Sequence, residues 1–400
     1  MKTSSIARRA SLALSLLLPA ALAQAAPGDD FGSCLNRLQG AAQAKGVSAA
    51  SFAQFTKGLQ PDMSVLPLLD AQPEFTTPIW DYLAGLVDEQ RVADGKARMA
   101  EHADLLRKVA ARYQVDPATV VAVWGVESDY GRITGKRPLL VSLSTLSCYG
   151  RRQSFFQGEF IATLKLLQQG DIRDSGITGS WAGAFGQTQF MPTTYQRLAV
   201  DGDGDGRRDV VDSVADAVAS TANFLRVAKW SNGHPWGYEV RLPRGFNAGA
   251  AGRKNKHAVG HWASLGVTRV DGKPLTGEGP AGILVPAGVN GPAFLVTKNF
   301  DAIYSYNAAE SYGLAIAVLS DRLRGRPGVQ ADWPTDDPPL SRAERRDLQS
   351  RLIARGYDVG EPDGKVGSKT REAIKDVERQ LGMPATGRPG GKVLEALRRG

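Results

Sequence analysis

Residues 116–132 constrain this chain more than any other stretch. Asp116 can cap free N–H groups, and Pro117 suits the first position of a helix. Gly131 suits the left-handed turn that ends one. Between them nearly every residue is apolar, and a helix apolar on all faces is buried on all faces. Such a helix lies at the centre of a core. It nevertheless carries Glu127 in its last turn. Two readings are open. An unpaired buried carboxylate has a raised pKa and stays protonated near neutral pH, which makes it a general acid. The plainer reading is a core glutamate held by a salt bridge to Arg132 or a lysine.

The N-terminus reads as an export signal spanning residues 1–25. Lys2, Arg8 and Arg9 precede a short apolar run at 12–22, and Ala23-Gln24-Ala25 gives the small-x-small cleavage pattern. The run is too short to span a bilayer, and no later run is long enough. No cysteine follows the cut, so a lipid anchor is not supported. The expectation is a soluble protein of the periplasm of a two-membrane bacterium. In that compartment the only two cysteines, Cys34 and Cys148, invite one disulfide. Two buried thiols are the alternative. The formal charge of +8 suits a polyanionic partner. An exported protein rarely meets nucleic acid, whereas peptidoglycan carries lactyl and stem-peptide carboxylates. A solvated basic surface explains the charge equally well.

Residues 30–112 repeat apolar positions at helical spacing, as in Phe31, Cys34, Leu35 and Leu38, and Pro61, Pro67, Pro73 and Pro78 cut the middle into short pieces. Residues 138–149 mix apolar residues with Ser and Thr, and 153–168 read as an amphipathic helix. The segment 179–195 is dense in Gly, amides and aromatics. Glycines let a backbone approach a ligand, and Gln187 and Gln189 can donate and accept at sugar hydroxyl and acetamido groups. An ordinary turn between helices is the other reading.

Residues 201–212 place oxygens at positions 1, 3, 5, 9 and 12 with Gly at 6, the pattern of a twelve-residue Ca²⁺ loop. Asp201, Asp203 and Asp205 would be the first ligands, and Arg207 would add its carbonyl; an acidic loop with no metal is the other reading. The last ligand is Asp212, or Asp216 one turn on. The ion's expected role is structural. Residues 212–230 are helical again. Short β-type runs at 238–241, 282–285 and 294–297 predict a small β-containing lobe. Tyr306, Asn307 and Tyr312 introduce an apolar helix ending near Leu323, where capping and core packing compete with substrate contact as their role. The proline-rich stretch 326–339 reads as a linker, and 340–400 as a separate module of three short helices.

In order along the chain, Gly125-Val126-Glu127-Ser128-Asp129-Tyr130-Gly131-Arg132, the segment 182–192, and Tyr306-Asn307 with Tyr312 resemble the B-type lytic murein transglycosylases. Residues 340–400 resemble a small peptidoglycan-binding domain. The resemblance implies a mainly α (α+β) fold: a lysozyme-like helical core with a helical lobe and a small β-containing lobe over residues 26–325. It implies cleavage of the β-1,4 bond between N-acetylmuramic acid and N-acetylglucosamine, leaving a 1,6-anhydro end. Peptidoglycan glycan strands are then the partner, and the chemistry needs no cofactor. Glu127 would be the one catalytic acid and base. Ser180, Gln189, Tyr306, Asn307 and Tyr312 would line the glycan groove, with Gln187 where the family pattern varies.

A single carboxylate fits this chemistry. Hydrolysing glycosidases use two, and the nearest second carboxylate in sequence, Asp129, points away from Glu127 two residues along a helix. A muramidase that hydrolyses the same bond and a non-catalytic wall-binding scaffold are the competing functions.

Overall fold

A computed structural model describes residues 30–399. The expected export signal and its cleavage site lie outside the described residues. Three helices of the N-terminal lobe start at a side-chain cap. Asp30 begins α1 (Phe31–Ala44), Ser48 begins α2 (Ala49–Thr56), and Asp88 begins α5 (Glu89–Glu101), each accepting a backbone N–H of the first turn. The prolines divide the intervening chain into a 3₁₀ turn (Met63–Asp70) and two short helices, α3 (Pro73–Thr76) and α4 (Ile79–Leu86). Helix α6 (Ala103–Tyr113) then leads to the central helix.

That helix, α7, spans Pro117–Ser128, with Asp116 accepting from the Thr119 N–H and nine of its residues buried. It ends earlier than the glycine at 131 led us to expect. Asp129 (φ 52°) and Tyr130 (φ 59°) already turn left-handed before Gly131 does. Three arginines at the Asp129 carboxylate support that conformation: Arg91 at 3.4 Å, Arg132 at 3.2 Å and Arg342 at 3.8 Å. The turn folds the Tyr130 ring back over Gly125, where a Cβ would come within 2.7 Å of it. The Tyr130 hydroxyl donates to the Arg91 carbonyl, and Arg91 Nη1 donates to the Gly125 carbonyl.

Two apolar cores flank α7. One gathers Val120, Val121, Val123 and Trp124 with α11 (Val214–Val227) and α14 (Glu310–Leu323). The other joins α1 and α2 to α8 (Leu139–Tyr149), α9 (Gln153–Gln169) and α10 (Pro192–Leu198). Cys34 on α1 and Cys148 on α8 form a disulfide across this second core, with Cα atoms 5.9 Å apart. The Ser/Thr-rich stretch before Tyr149 is helical because its hydroxyls bond back to the helix carbonyls, as in Ser147 to Leu143 and Thr145 to Val141. Ser144 does the same, while the buried Ser142 hydroxyl has no partner among the described residues.

Two strands, β1 (Arg137–Pro138) and β2 (Thr178–Gly179), pair antiparallel beside α8. The β-containing lobe is a five-stranded antiparallel sheet in the order β4-β6-β7-β3-β5. Its strands are β3 (Gly237–Arg241), β4 (His257–Ala258), β5 (Thr268–Arg269), β6 (Pro280–Leu284) and β7 (Ala293–Val296). Helix α12 (Val259–Ser264) closes this lobe with a fully buried Trp262. Helix α13 (Lys298–Tyr304) returns the chain to α14. Three further helices, α15 (Arg342–Ala354), α16 (Ser368–Gln380) and α17 (Gly391–Arg399), enclose a core of Leu348, Leu352, Ile374 and Leu394.

The proline-rich stretch between α14 and α15 is an extended strap laid on the protein. The buried Glu239 carboxylate accepts the Gln330 and Ala331 N–H groups, and Trp333 lies 6.3 Å from Trp80. Arg388 of the last module donates twice to Asp81 of α4, at 2.6 and 2.8 Å.

Candidate active site

Glu127 occupies the last turn of α7 and keeps one face open while its surroundings close on the others. Arg132 is not its partner. That guanidinium bonds to Asp129 and Asp94. Glu127 Oε1 instead accepts the Tyr312 hydroxyl from the first turn of α14. Burial pushes the Glu127 carboxyl up to about 8, against the opposing pull of the Tyr312 hydrogen bond, and the negative charge of Glu74 adds to the rise. A carboxyl of that pKa is about nine-tenths protonated at pH 7. Tyr312 and Tyr306 are themselves pushed well above the ordinary tyrosine value by burial and by the neighbouring Glu127, so both remain phenols.

The turn before α14 supplies the aromatic side of the site. Tyr306 stacks on Tyr312 with centroids 6.3 Å apart and meets the tilted Phe224 ring at 4.4 Å, and its hydroxyl donates to the Thr188 carbonyl. Asn307 is exposed, with Nδ2 3.2 Å from Glu74 Oε1. Ser311 donates to the Glu74 carbonyl at 2.6 Å. Consecutive residues of α14, Ser311 and Tyr312, thus hold the α3 segment and Glu127 respectively. Tyr82 of α4 also faces this group, and burial together with Glu74 and Glu127 raises its pKa.

The glycine-rich segment 179–195 packs along the same end of α7. Gly135, at φ 97°, lets the chain pass so close to Gly179 that a Cβ would sit 2.0 Å from its carbonyl. Ser180 follows there, and its hydroxyl accepts the Ala184 N–H. Gln189 is left-handed (φ 49°), and its amide donates to the Thr134 and Gly186 carbonyls. Gln187 departs from the groove role expected of it. It is buried, its Oε1 accepts from the Trp124 indole, its Nε2 donates to the Val211 carbonyl, and the Ser128 hydroxyl donates to its carbonyl. With both ends of the amide occupied inside the protein, Gln187 ties α7 to the acidic loop.

In that loop Asp201, Asp203 and Asp205 bring carboxylate oxygens within 4.8 Å of one another. The Gly204 and Gly206 N–H groups hold Asp201 below the usual carboxylate range. Neither candidate for the last ligand joins this cluster. Asp212 is exposed, and its N–H bonds to Asp209. Asp216 is buried in the first turn of α11, its carboxylate accepting the Gly202 and Asp209 N–H groups. It clamps the two ends of the loop from beneath. Arg207 turns its N–H to Asp205 and its guanidinium to Asp209. Three converging hard oxygens fit a divalent ion of the Ca²⁺ type.

Sequence reasoning missed Glu74 and Tyr82. Both come from the proline-broken lobe, where no local spacing marks them, and only the docking of α3 and α4 on α14 brings them to Glu127. A cavity of about 940 Å³ opens at the opposite end of α7, lined by Asp116, Trp230, Tyr238, Glu239, Asp321 and Arg324. Arg324 there is already paired with Asp116 and Asp321. Glu127 does not line it.

Residues 30–321 match the family described as transglycosylase SLT domain, and residues 341–397 match the putative peptidoglycan binding domain. The chain is 31% identical over 272 residues to membrane-bound lytic murein transglycosylase B of Escherichia coli (strain K12), covering 64% of this chain and 73% of that one. It is similar to SltB3 from Pseudomonas aeruginosa, solved in complex with NAG-anhNAM-pentapeptide, with 46% identity, a TM-score of 0.74, and coverage of 93% of this chain and 100% of that chain. It is also similar to the Escherichia coli lytic transglycosylase Slt35, solved in complex with calcium, with 28% identity, a TM-score of 0.65, and coverage of 74% and 95%.

Proposed function

Because the chain belongs to the transglycosylase SLT domain family and is a peptidoglycan lytic transglycosylase, we propose that Glu127 is the one group that serves as acid and then as base in its reaction. The observation that carries this assignment is a carboxyl kept protonated by burial, bonded to a tyrosine hydroxyl and to no arginine or lysine among the described residues. The bond cut is the β-1,4 link between N-acetylmuramic acid and N-acetylglucosamine. Protonated Glu127 gives its proton to the glycosidic oxygen, and the C1–O bond breaks with N-acetylglucosamine leaving as the alcohol. The muramyl acetamido oxygen closes on C1 and carries the positive charge. The Glu127 carboxylate then takes the proton of the C6 hydroxyl, O6 attacks C1, and the acetamido oxygen leaves. Glu127 ends protonated and no water is consumed. One carboxyl of pKa near neutrality serves both transfers, as general acid–base catalysis requires.

We assign Ser180, Gln189, Tyr306, Asn307 and Tyr312 to the glycan groove. The partly buried Tyr306 offers an aromatic face beside the acid, the buried Tyr312 holds the acid through its hydroxyl, and Asn307 adds an exposed amide. The three-helix module, residues 340–400, is assigned to wall binding, the strap 326–339 joins it to the catalytic region, and the protein is assigned to the periplasm. Among the described residues no helix is long and apolar enough to cross a membrane.

Digestion of purified sacculi by the full chain tests the reaction. Mass spectrometry of the released fragments is expected to give muramyl ends one water lighter than reducing sugars. Reducing ends in their place would make the protein a muramidase, and wall binding with no fragments would make it a scaffold.

Asp201, Asp203 and Asp205 are proposed to hold a structural Ca²⁺ that fixes the loop carrying the Val211 carbonyl, and through it Gln187 and α7. Millimolar Ca²⁺ should raise the melting temperature of the full chain, following the mass-action law for a ligand of the folded state. Asp203→Asn should lose most of that rise. An equal rise in the variant, or none in the wild type, would remove the ion from this loop.

A further inference from the structure

The reading of Glu127 leaves a second acidic group unexplained. Glu74 stands on the short α3 helix, which packs on α14. It resembles Asp129 in being close to Glu127 but differs in its company. Asp129 is surrounded by Arg91, Arg132 and Arg342. Glu74 has no arginine or lysine partner among the described residues. Its carboxylate meets the Asn307 amide, and its carbonyl oxygen meets the Ser311 hydroxyl.

That pairing has two chemical consequences. A carboxylate only accepts hydrogen bonds, so it draws the NH₂ end of Asn307 toward itself. The amide oxygen of Asn307 is thereby turned the other way, as an acceptor on an exposed residue next to Tyr306. Asparagine without such a partner could present either end. The second consequence is electrostatic. The groups facing Glu127 are Glu74 from α3, Tyr82 from α4, Tyr306 from the turn, and Tyr312 from α14. The tyrosines are neutral. On α5, Arg91 is committed to the Gly125 carbonyl and Asp129, and His102 beyond it lies against Trp124. On α11, Thr221 and Phe224 do not titrate. Glu74 is therefore the one facing group that brings a net charge unmatched by a partner.

We propose that Glu74 is a positioning residue of this transglycosylase: it orients the Asn307 amide so that its carbonyl oxygen receives an N–H or hydroxyl of the sugar, and its charge acts on the nearby Glu127. This inference rests on Glu127 being the acid. The negative charge disfavours ionisation of Glu127 before the first proton transfer. It also favours the positively charged intermediate that follows, since unlike charges attract across a site of low water content. Glu74 touches no reacting atom in this scheme.

The test uses the full chain and soluble glycan strands, with kcat and KM measured from pH 5 to 9. Glu74→Gln keeps shape and an acceptor oxygen but removes the charge. Its basic limb in kcat is expected to move to lower pH. Glu74→Ala should in addition raise KM several-fold, as Asn307→Ala does, and the double variant should bind no worse than Asn307→Ala alone, since the two act through one contact. Glu74→Asp should recover part of the pH position. Purely structural loss would lower the melting temperature and leave the pH limb in place, and that result overturns the proposal. So does additive loss of binding in the double variant. Full activity of Glu127→Gln would be a different failure, removing the acid itself, whereas an inert Glu127→Gln beside an unshifted Glu74→Gln removes only the role of Glu74.

Discussion

Glu127→Gln is expected to keep the fold and lose turnover by about three orders of magnitude or more, because one group performs both proton transfers. The amide retains an oxygen for the Tyr312 hydroxyl, so the α7–α14 contact survives. The wild type should show the matching pH behaviour. Its active form carries the proton, so kcat falls as pH rises through about 8. Stability follows the same group. The folded carboxyl titrates near 8 and the unfolded one near 4.5. Between those values the folded state holds a proton that the unfolded state has released, so stability decreases as pH rises across that window and is lowest above it. Glutamine has no such dependence. Glu127→Gln should therefore be more stable than the wild type at pH 9 by about 1–3 kcal/mol, less than the full shift would give because the side chain keeps one face open. Thermal melts of both proteins at pH 5 and 9, beside release of anhydro-muramyl ends, check both halves. A variant that digests sacculi at near wild-type rate removes Glu127 from the chemistry. A variant less stable at pH 9 would mean that the carboxylate is held by a cation.

The central helix was legible because its signals are local. Asp116 and Pro117 fix the start, and apolar residues on every face fix the burial. Its end was misread because the left-handed turn at Asp129 depends on Arg91 and Arg342, residues that no window around 129 contains. Glu127 shows the same division. Its burial could be read from neighbours in sequence, while its partner Tyr312 lies 185 positions away. Gln187 and Gln189 look alike in sequence, yet the Trp124 indole and the Val211 carbonyl withdraw only the first into the core. Asp216 falls one turn beyond the loop in the chain and under it in space, because Ser213 starts α11 there. The strap was read as a spacer from its prolines. What holds it down is Glu239 on a strand of another lobe.

Replacing both cysteines, Cys34→Ser with Cys148→Ser, is the second large effect expected, this time on stability alone. The bridge closes a segment of 114 residues that contains the whole of α7. In the unfolded chain that closure removes conformational freedom worth about 5 kcal/mol on the loop-entropy account. In the folded chain it joins α1 to α8 beside Leu38, Phe52 and Phe160, whose packing already aligns the two helices. The urea midpoint of the double variant should fall markedly with an unchanged slope, and its kcat at low temperature should stay near that of the wild type, because the bridge lies in the core on the other side of α7 from Tyr312. A reducing agent should reproduce the drop in the wild type and do nothing further to the variant. A steeper slope would mean that the bridge chiefly compacts the unfolded chain. Unchanged stability in both experiments would mean that apolar contact between α1, α8 and α9 is sufficient, and that the covalent link adds no constraint the packing had not already imposed.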